Sequence, residues 1–156
     1  MTIEPFGFTP EEVDTSAPTR NARLKWVIAV NRSLPSGRAV NAAACIAAAT
    51  GTRVMGLLGP DAVDADGSAH PGLPWAGCTV LGADPDQLVT IRAKAEASPG
   101  VMLVDMPAQA QSTRVYDEYL ESVSPHHSNE LEYYAVSIVG PRNRIDRIVG
   151  RIPLLP

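Results

Sequence analysis

Short apolar runs alternate with helical hydrophobic patterns along most of this chain. The first run, Trp26 to Val30, has no helical spacing and is followed by turn residues, which predicts a strand buried on both faces. Ser36 is placed to cap an alanine-rich helix over residues 37–50. Gly51 is predicted to end that helix in a left-handed conformation. We expect any site to lie where this strand passes into this helix.

The same alternation continues toward the C-terminus. Asp84 and Pro85 give a strong start signal for a second helix, and Pro141 opens a last one. Asp66-Gly67 predicts the turn of a small hairpin. Further strands are predicted over 54–58, 78–83, 101–104 and 131–140, and an amphipathic helix over 112–124. A strand, a helix and a strand in this order indicate a right-handed crossover between parallel strands.

The first 22 residues differ from the rest. Residues 1–22 are rich in Pro, Thr and acidic side chains, which predicts an arm without regular structure. Both phenylalanines of the chain, Phe6 and Phe8, lie in this arm, and a solvated tail rarely carries such residues. We therefore expect the arm to dock its phenylalanines on the body of the protein or on a partner subunit. Residues 23–156 form the predicted single α/β domain.

Composition narrows the function classes. The formal net charge of −4 and the pI near 5.3 argue against general nucleic-acid binding. No apolar run is long enough for a membrane span and no signal peptide is evident, so we expect a cytoplasmic protein without membrane contact. Cys45 and Cys78 lack the spacing of a zinc site or a CxxC motif and are expected to be buried, reduced thiols. No metal and no cofactor is predicted.

One segment is strongly basic. Four arginines lie between Arg142 and Arg151. They fit a solvated helix face that also contains Asp146, or a patch that contacts phosphate.

Candidate ligand-binding residues cluster at the start of the first helix. Arg38, Asn41 and Cys45 share a face because they lie at positions i, i+3 and i+7. Together with Ser36 and Gly37 they surround a helix N-terminus, where free amides and the helix dipole favour an anion. The opposite stripe is expected to pack on the sheet: Val40, Ala43, Ala44 and Ala47. The alternative is that Arg38 and Asn41 are simply a solvent-facing stripe.

Two polar residues follow buried strands. Asn31 closes the first predicted strand and Asp105 closes the third, and ligands of open α/β sheets bind beyond such carboxyl ends. Asn31, Arg38, Asn41 and Asp105 would converge if these two strands are parallel neighbours. Otherwise Asp105 caps the turn before Pro107. His70 is a further candidate ligand-binding residue, with an ordinary loop histidine as the alternative.

Four segments of the chain resemble a known family. They are KWVIAVNRSLPSGRAVNAAACIAAATG, GPDAVDADGSAHPGLPW, VMLVDMPAQAQSTRVYDEYL and VSIVGPRNRIDRIVGRIPLLP. In order and spacing they resemble a bacterial domain of unknown function, number two thousand, over about residues 23–156. That family is similar to the type-II peptidyl-tRNA hydrolases. The resemblance implies a three-layer α/β/α fold around a mixed sheet of about four main strands.

The resemblance implies less about activity. Type-II hydrolases carry a lysine, a glutamine and a histidine along the first helix, where this chain has Val40, Ala44 and Ala47. Arg38 matches a basic loop residue of that family, and Asp105 matches the aspartate after its third strand. MPAQAQ replaces the small-residue and arginine run that follows that aspartate.

Three functions follow from this residue set. The first is a small-molecule or peptide binder without the parent catalytic residues, in which Arg38 holds an anionic group. The second is an active hydrolase of a peptidyl-tRNA-like or nucleotide-linked acyl ester, with Asp105 as general base; the acidic chain disfavours tRNA as a partner. The third is a non-enzymatic interaction module that works as a homodimer.

Overall fold

A computed structural model of the chain describes residues 5–156, so the first four residues of the predicted arm lie outside the described residues. A four-stranded mixed sheet with the order β4-β1-β6-β5 forms its centre. The strands are β1 (Leu24–Asn31), β4 (Thr79–Ala83), β5 (Met102–Pro107) and β6 (Tyr133–Pro141), with a hairpin of β2 (Ala62–Val63) and β3 (Ala69–His70) outside the sheet. The helices are α1 (Ser36–Gly51), α2 (Pro85–Glu96), α3 (Gln109–Ser112), α4 (Tyr116–Val123) and α5 (Arg142–Val149).

The strand order sets which predicted site residues can meet. β1 pairs with β4 in parallel and with β6 antiparallel. β5 pairs only with β6, again antiparallel. β1 and β5 therefore point in the same direction but are not neighbours, because β6 lies between them. The condition for Asn31 and Asp105 to converge is not met.

Side chains alternate across the sheet and build one core on each face. Trp26, Ile28 and Val30 of β1 pack on the side of α1, whereas Val27 and Ala29 pack on the side of α2 and α5. Every residue of β1 except Lys25 is buried, which confirms a strand covered on both faces. The chain thus has the expected three-layer α/β/α architecture around a mixed sheet.

The packing face of α1 agrees with the expected one only in part, because Ala43 and Ala47 pack against the core but Val40 and Ala44 are exposed. Ala39, Ala42, Ile46 and Thr50 are its buried residues, whereas Val40 is 68% exposed. An alanine-rich helix has little hydrophobic contrast around its circumference, so alanine alone does not orient it. Its orientation is instead set by Ile46 and by Thr50. The Thr50 hydroxyl lies 2.8 Å from Ser137 Oγ, which also accepts a hydrogen bond from Trp26 Nε1.

The two ends of α1 also differ from expectation. Ser36 is the first residue of the helix, Pro35 occupies the N-cap position, and no side chain caps this end. Gly51 belongs to the last turn and has no positive φ, so the predicted left-handed stop is wrong. The positive φ appears further along the chain, at Gly56.

The second helix agrees closely with its sequence signals. Asp84 is the N-cap and forms a capping box with Gln87, and Pro85 opens the helix. The predicted stripe of Leu88, Ile91 and Ala95 is buried. A capping residue, a proline after it and one regular apolar stripe all indicate the same helix. The start and the buried face of α2 are therefore determined by local sequence and not by tertiary contacts.

Other predicted elements are shifted. Residues 54–58 form two isolated bridges rather than a strand, whereas the hairpin around Asp66-Gly67 is present as β2 and β3. The helix expected over 112–124 begins only at Tyr116, as α4, because the backbone is extended at Thr113 and Val115, and the short helix α3 precedes it. Cys45 and Cys78 are free thiols, as predicted, but both are exposed rather than buried.

The segment before β1 docks on the body of the protein. Phe8 is only 3% exposed and belongs to the core on the α1 side, with its ring centroid 4.9 Å from that of Trp75. Backbone hydrogen bonds join Phe8 N to Met55 O and Met55 N to Phe6 O. The predicted docking of the phenylalanines is confirmed, and the body of the same chain receives them.

Candidate functional site

A cleft of about 510 Å³ lies where α1, β5 and the segment from Ala110 to Tyr119 meet. Its volume falls in the range of small-molecule sites. The cleft is lined by Asn41, Cys45, Ile46, Ala49, Val104, Asp105, Met106, Ala110, Thr113, Arg114, Val115, Tyr116 and Tyr119. Three separate parts of the chain therefore contribute to one concave surface.

The floor of the cleft is apolar. Ile46 and Ala49 come from α1, and Val104 and Met106 come from the side of β5 that packs toward α1. β5 is the outer strand of the sheet, and among residues 5–156 no strand pairs with its other edge. The cleft forms beside that open edge, where α3 and α4 provide a third wall.

A glutamine ties this third wall to α1. Gln111 Nε2 donates to the carbonyl oxygen of Arg38 at 2.9 Å and to Asn41 Oδ1 at 3.2 Å. Gln111 Oε1 is buried and has no partner among the described residues. The amide of Asn41 lies at the cleft with its oxygen already engaged. Its nitrogen is therefore the part available to donate to a ligand.

Asp105 lines the cleft but is held from the other face of the sheet. Its Oδ2 accepts a hydrogen bond from Arg92 Nε of α2 at 2.9 Å, and Arg92 also pairs with Glu96. Burial raises the pKa of the Asp105 carboxyl above its ordinary value, although the Arg92 guanidinium opposes the shift. Burial also raises the pKa of Tyr119, and the nearby Asp105 charge adds to that shift.

Asp105 was expected either at the end of its strand or as the cap of the turn before Pro107, and it occupies neither position. β5 continues to Pro107, so Asp105 lies inside the strand opposite Val136 rather than at its end. It caps no turn, because its carboxylate is paired with Arg92. A base at this position would have to act while bonded to a cation that stabilises its charged form.

Arg114 is the cation of the cleft. It lies in the exposed link between α3 and α4, and it forms no ion pair or hydrogen bond with any residue from 5 to 156. A free guanidinium beside an apolar cavity can bind a carboxylate or phosphate through two parallel hydrogen bonds.

The structure brings together three of the predicted site residues. Asn41, Cys45 and Asp105 all line the cleft. Five others do not: Asn31, Ser36, Gly37, Arg38 and His70. Asn31 is 3% exposed and its Oδ1 accepts from the amide of Ser33. His70 lies on the exposed hairpin, with Nε2 3.2 Å from Asp64 Oδ2.

Sequence reasoning missed the third wall. The sequence pattern assigns a group of lining residues to an amphipathic helix and does not indicate a site there: Thr113, Arg114, Tyr116 and Tyr119. One signal was available, because a cation directly before a run with two tyrosines combines charge with aromatic surface. Nothing local, however, indicates that this run lies against α1 and β5.

Among the described residues, no group of three His, Cys, Asp or Glu side chains is arranged to hold a metal ion. No helix in residues 5–156 has the length and apolar character needed to cross a bilayer.

Comparison with known proteins identifies the family. The family DUF2000, described as a protein of unknown function, matches residues 24–156. The chain belongs to the DUF2000 family. Its match covers every strand of the central sheet and all lining residues of the cleft.

Solved structures extend the comparison of this DUF2000 protein to its fold. The protein of unknown function Atu0240 from Agrobacterium tumefaciens strain C58 superimposes with a TM-score of 0.78 at 14% identity. The superposition covers 85% of this chain and 97% of that chain. At this identity the likeness shows a shared fold alone. No curated protein matches the DUF2000 chain.

Proposed function

We propose that this protein binds a small molecule that has an apolar body and one anionic group. The ligand occupies the cleft between α1, β5 and the segment from Ala110 to Tyr119. The main support is the position of Arg114, an unpaired cation at the edge of a cavity whose floor is apolar. Such a site holds the body of a ligand by burial and fixes its orientation through a few polar groups.

The polar groups around the cleft fit this ligand. Arg114 replaces Arg38 as the group expected to bind the anion, since Arg38 does not line the cleft. Asn41 and Thr113 add hydrogen-bonding groups, and the rings of Tyr116 and Tyr119 add aromatic surface. Asp105 does not cancel the charge of Arg114, because it is paired with Arg92.

Binding of simple carboxylates tests the proposal. Phenylacetate and hexanoate serve as probes, with benzyl alcohol and hexanol as neutral controls of similar shape, in calorimetry and thermal-shift measurements on the full chain. We expect the carboxylates to bind more tightly than the alcohols. Arg114→Gln should weaken carboxylate binding about tenfold, because it removes a charge-assisted pair.

Arg38→Gln is the matched control. It makes the same charge change at an exposed arginine outside the cleft, so carboxylate binding should be unchanged. Equal losses in both variants would show that only net charge matters. Equal binding of carboxylates and alcohols by the parent protein would contradict the anionic group of the ligand.

A hydrolase is the second candidate, supported by the presence of Asp105 in the same cleft. A carboxylate with a pKa raised by burial is a suitable general base. Release of tRNA from N-blocked aminoacyl-tRNA distinguishes the two functions. For a binder we expect no release, whereas release that disappears in Asp105→Asn but not in Glu96→Gln would establish the hydrolase instead.

A homodimeric module is the third candidate. Val115, Tyr116 and Leu120 are at least half exposed, and an exposed apolar group of this kind is common at protein interfaces. The homodimer and the cytoplasmic location stay predictions, and sedimentation of the purified chain tests the first of them.

A further inference from the structure

A second cleft, of about 410 Å³, lies between α2 and α5 in the opposite helical layer. Its polar residues come from both helices and from the turn after α5. Its lining includes Asp86, Thr90, Lys94, Arg147, Arg151 and the apolar residues Ile91 and Ile152. Three cations and one carboxylate thus share a single concavity in a chain whose formal net charge is −4.

The arginines of the basic segment divide into two groups. Arg142 donates to the carbonyl oxygens of Thr19 and Ala22, and Arg144 donates to that of Pro99. These two side chains therefore hold parts of the chain together. Arg147 and Arg151 line the cleft instead, with Lys94 of α2.

The three cleft cations lack ion-pair partners in the part of the chain that the structure describes. Over residues 5–156 none of Lys94, Arg147 and Arg151 forms an ion pair with a carboxylate. Asp146, the acidic residue within the basic segment, pairs with Lys25. Like charges held close together repel one another, and a multivalent anion between them removes that repulsion.

We propose that this second cleft binds the phosphate group of a small phosphorylated molecule. Phosphate carries nearly two negative charges at neutral pH and three acceptor oxygens. Arginine presents a planar fork that matches two of those oxygens, and lysine adds a point charge. The apolar residues of the cleft leave room for the organic part of the molecule.

The arrangement favours a compact anion over a nucleic-acid backbone. A strand of phosphates needs cations along an extended surface, but Arg142 and Arg144 are bonded to backbone carbonyls away from the cleft. Of the four arginines, only Arg147 and Arg151 line the cleft, together with Lys94. The site therefore matches one phosphate or diphosphate group.

Inorganic phosphate and pyrophosphate are the probes, measured by calorimetry and thermal shift on the full chain against sodium chloride at equal ionic strength. We expect both to bind, and pyrophosphate to bind more tightly because it carries more charge. Arg147→Gln and Arg151→Gln should each weaken binding about tenfold. Asp86→Asn should tighten binding, since it removes the one carboxylate of the cleft.

Two controls isolate the site. Arg53→Gln changes an exposed arginine outside this cleft and should leave phosphate binding unaltered. Arg38→Gln changes an exposed arginine that lines neither cleft and should also have no effect. Melting temperatures of all variants without ligand show whether each one folds.

Three results would overturn the proposal. One is an absence of phosphate and pyrophosphate binding beyond the effect of chloride. Another is an equal loss of binding in Arg53→Gln and Arg147→Gln. The third is tRNA binding that depends equally on Arg142, Arg144, Arg147 and Arg151, which would indicate an extended nucleic-acid surface instead of a phosphate pocket.

Discussion

At the scale of single residues, Asp105 combines partial burial with an ion pair. Its side chain is 20% exposed and its main partner is Arg92. Arg92 also lies over the ring of Tyr133, 5.4 Å from the centroid. Burial nevertheless outweighs the ion pair and raises the pKa of the carboxyl. Compared with the unfolded chain, the fold therefore shifts the protonation equilibrium of Asp105 toward the neutral form.

This balance predicts a pH dependence. A carboxyl whose pKa is higher in the folded than in the unfolded state stabilises the fold below the unfolded pKa, and that stability is lost as pH rises through the folded pKa. We expect the free energy of unfolding of the parent protein, measured relative to that of Asp105→Asn, to fall as pH rises upward from about 3.9, the unperturbed pKa of Asp. Urea unfolding of both proteins across the acidic range measures this difference.

The opposite trend would contradict the account of Asp105. A parent protein that gains stability over Asp105→Asn as pH rises would show that Arg92 outweighs burial. Glu96→Gln is a useful control, because it keeps Asp105 and removes the other carboxylate bonded to Arg92.

At the scale of elements, local signals predicted some helices well and others poorly. The bounds and buried stripe of α2 follow from Asp84, Pro85 and a single apolar row. The rotation of α1 does not follow from its sequence, because most of its positions are alanine and Thr50 is buried through bonds to Ser137 and Ile46. Gly51 resembles a helix stop because it is a glycine that directly follows the alanine-rich run.

Two glycine substitutions test the C-terminal end of α1. A Cβ at Gly51 meets nothing within 4 Å, so Gly51→Ala should stabilise the protein by about 0.5–1 kcal/mol through helix propensity. Gly56 has φ +64°, and a Cβ there would lie 2.8 Å from the carbonyl oxygen of Phe8. Gly56→Ala should therefore destabilise by about 1–3 kcal/mol.

Denaturant unfolding of both variants measures these changes. If Gly51→Ala destabilised the protein as much as Gly56→Ala, the helical backbone at Gly51 would be contradicted. The left-handed conformation predicted from the sequence would then be supported.

At the scale of the whole molecule, the sequence predicted the layers but not the clefts. Apolar runs such as Trp26–Val30 indicate buried strands wherever they pair, and the family resemblance implied the three-layer architecture. The order of the strands decides that Asn31 and Asp105 lie apart, and the fold alone brings Arg114 and Met106 to the same cleft. Contacts between residues far apart in the chain have no local signature.

The N-terminal segment provides the prediction at this scale. Phe8 lies outside the residues matched by the family but inside the core. Phe8→Ala should cost about 3–5 kcal/mol, as for other buried aromatic residues. Thermal and denaturant unfolding measure this loss, with the exposed Val63→Ala as a control on the hairpin. An unchanged stability in Phe8→Ala would mean that the segment is dispensable for the fold.

The position of β6 has a consequence for biosynthesis. β6 is the last strand of the sheet to be translated, yet it is the one that joins β1 and β4 to β5. Until β6 has been synthesised, the pair of β1 and β4 has no connection through the sheet to β5, and the strand edges that β6 will cover keep unpaired backbone groups. Trp26 then pairs with Val139, although the two residues lie far apart along the chain. Such pairing gives a high contact order, and a high contact order slows folding. The central sheet of this protein can therefore be completed only after β6 has been synthesised.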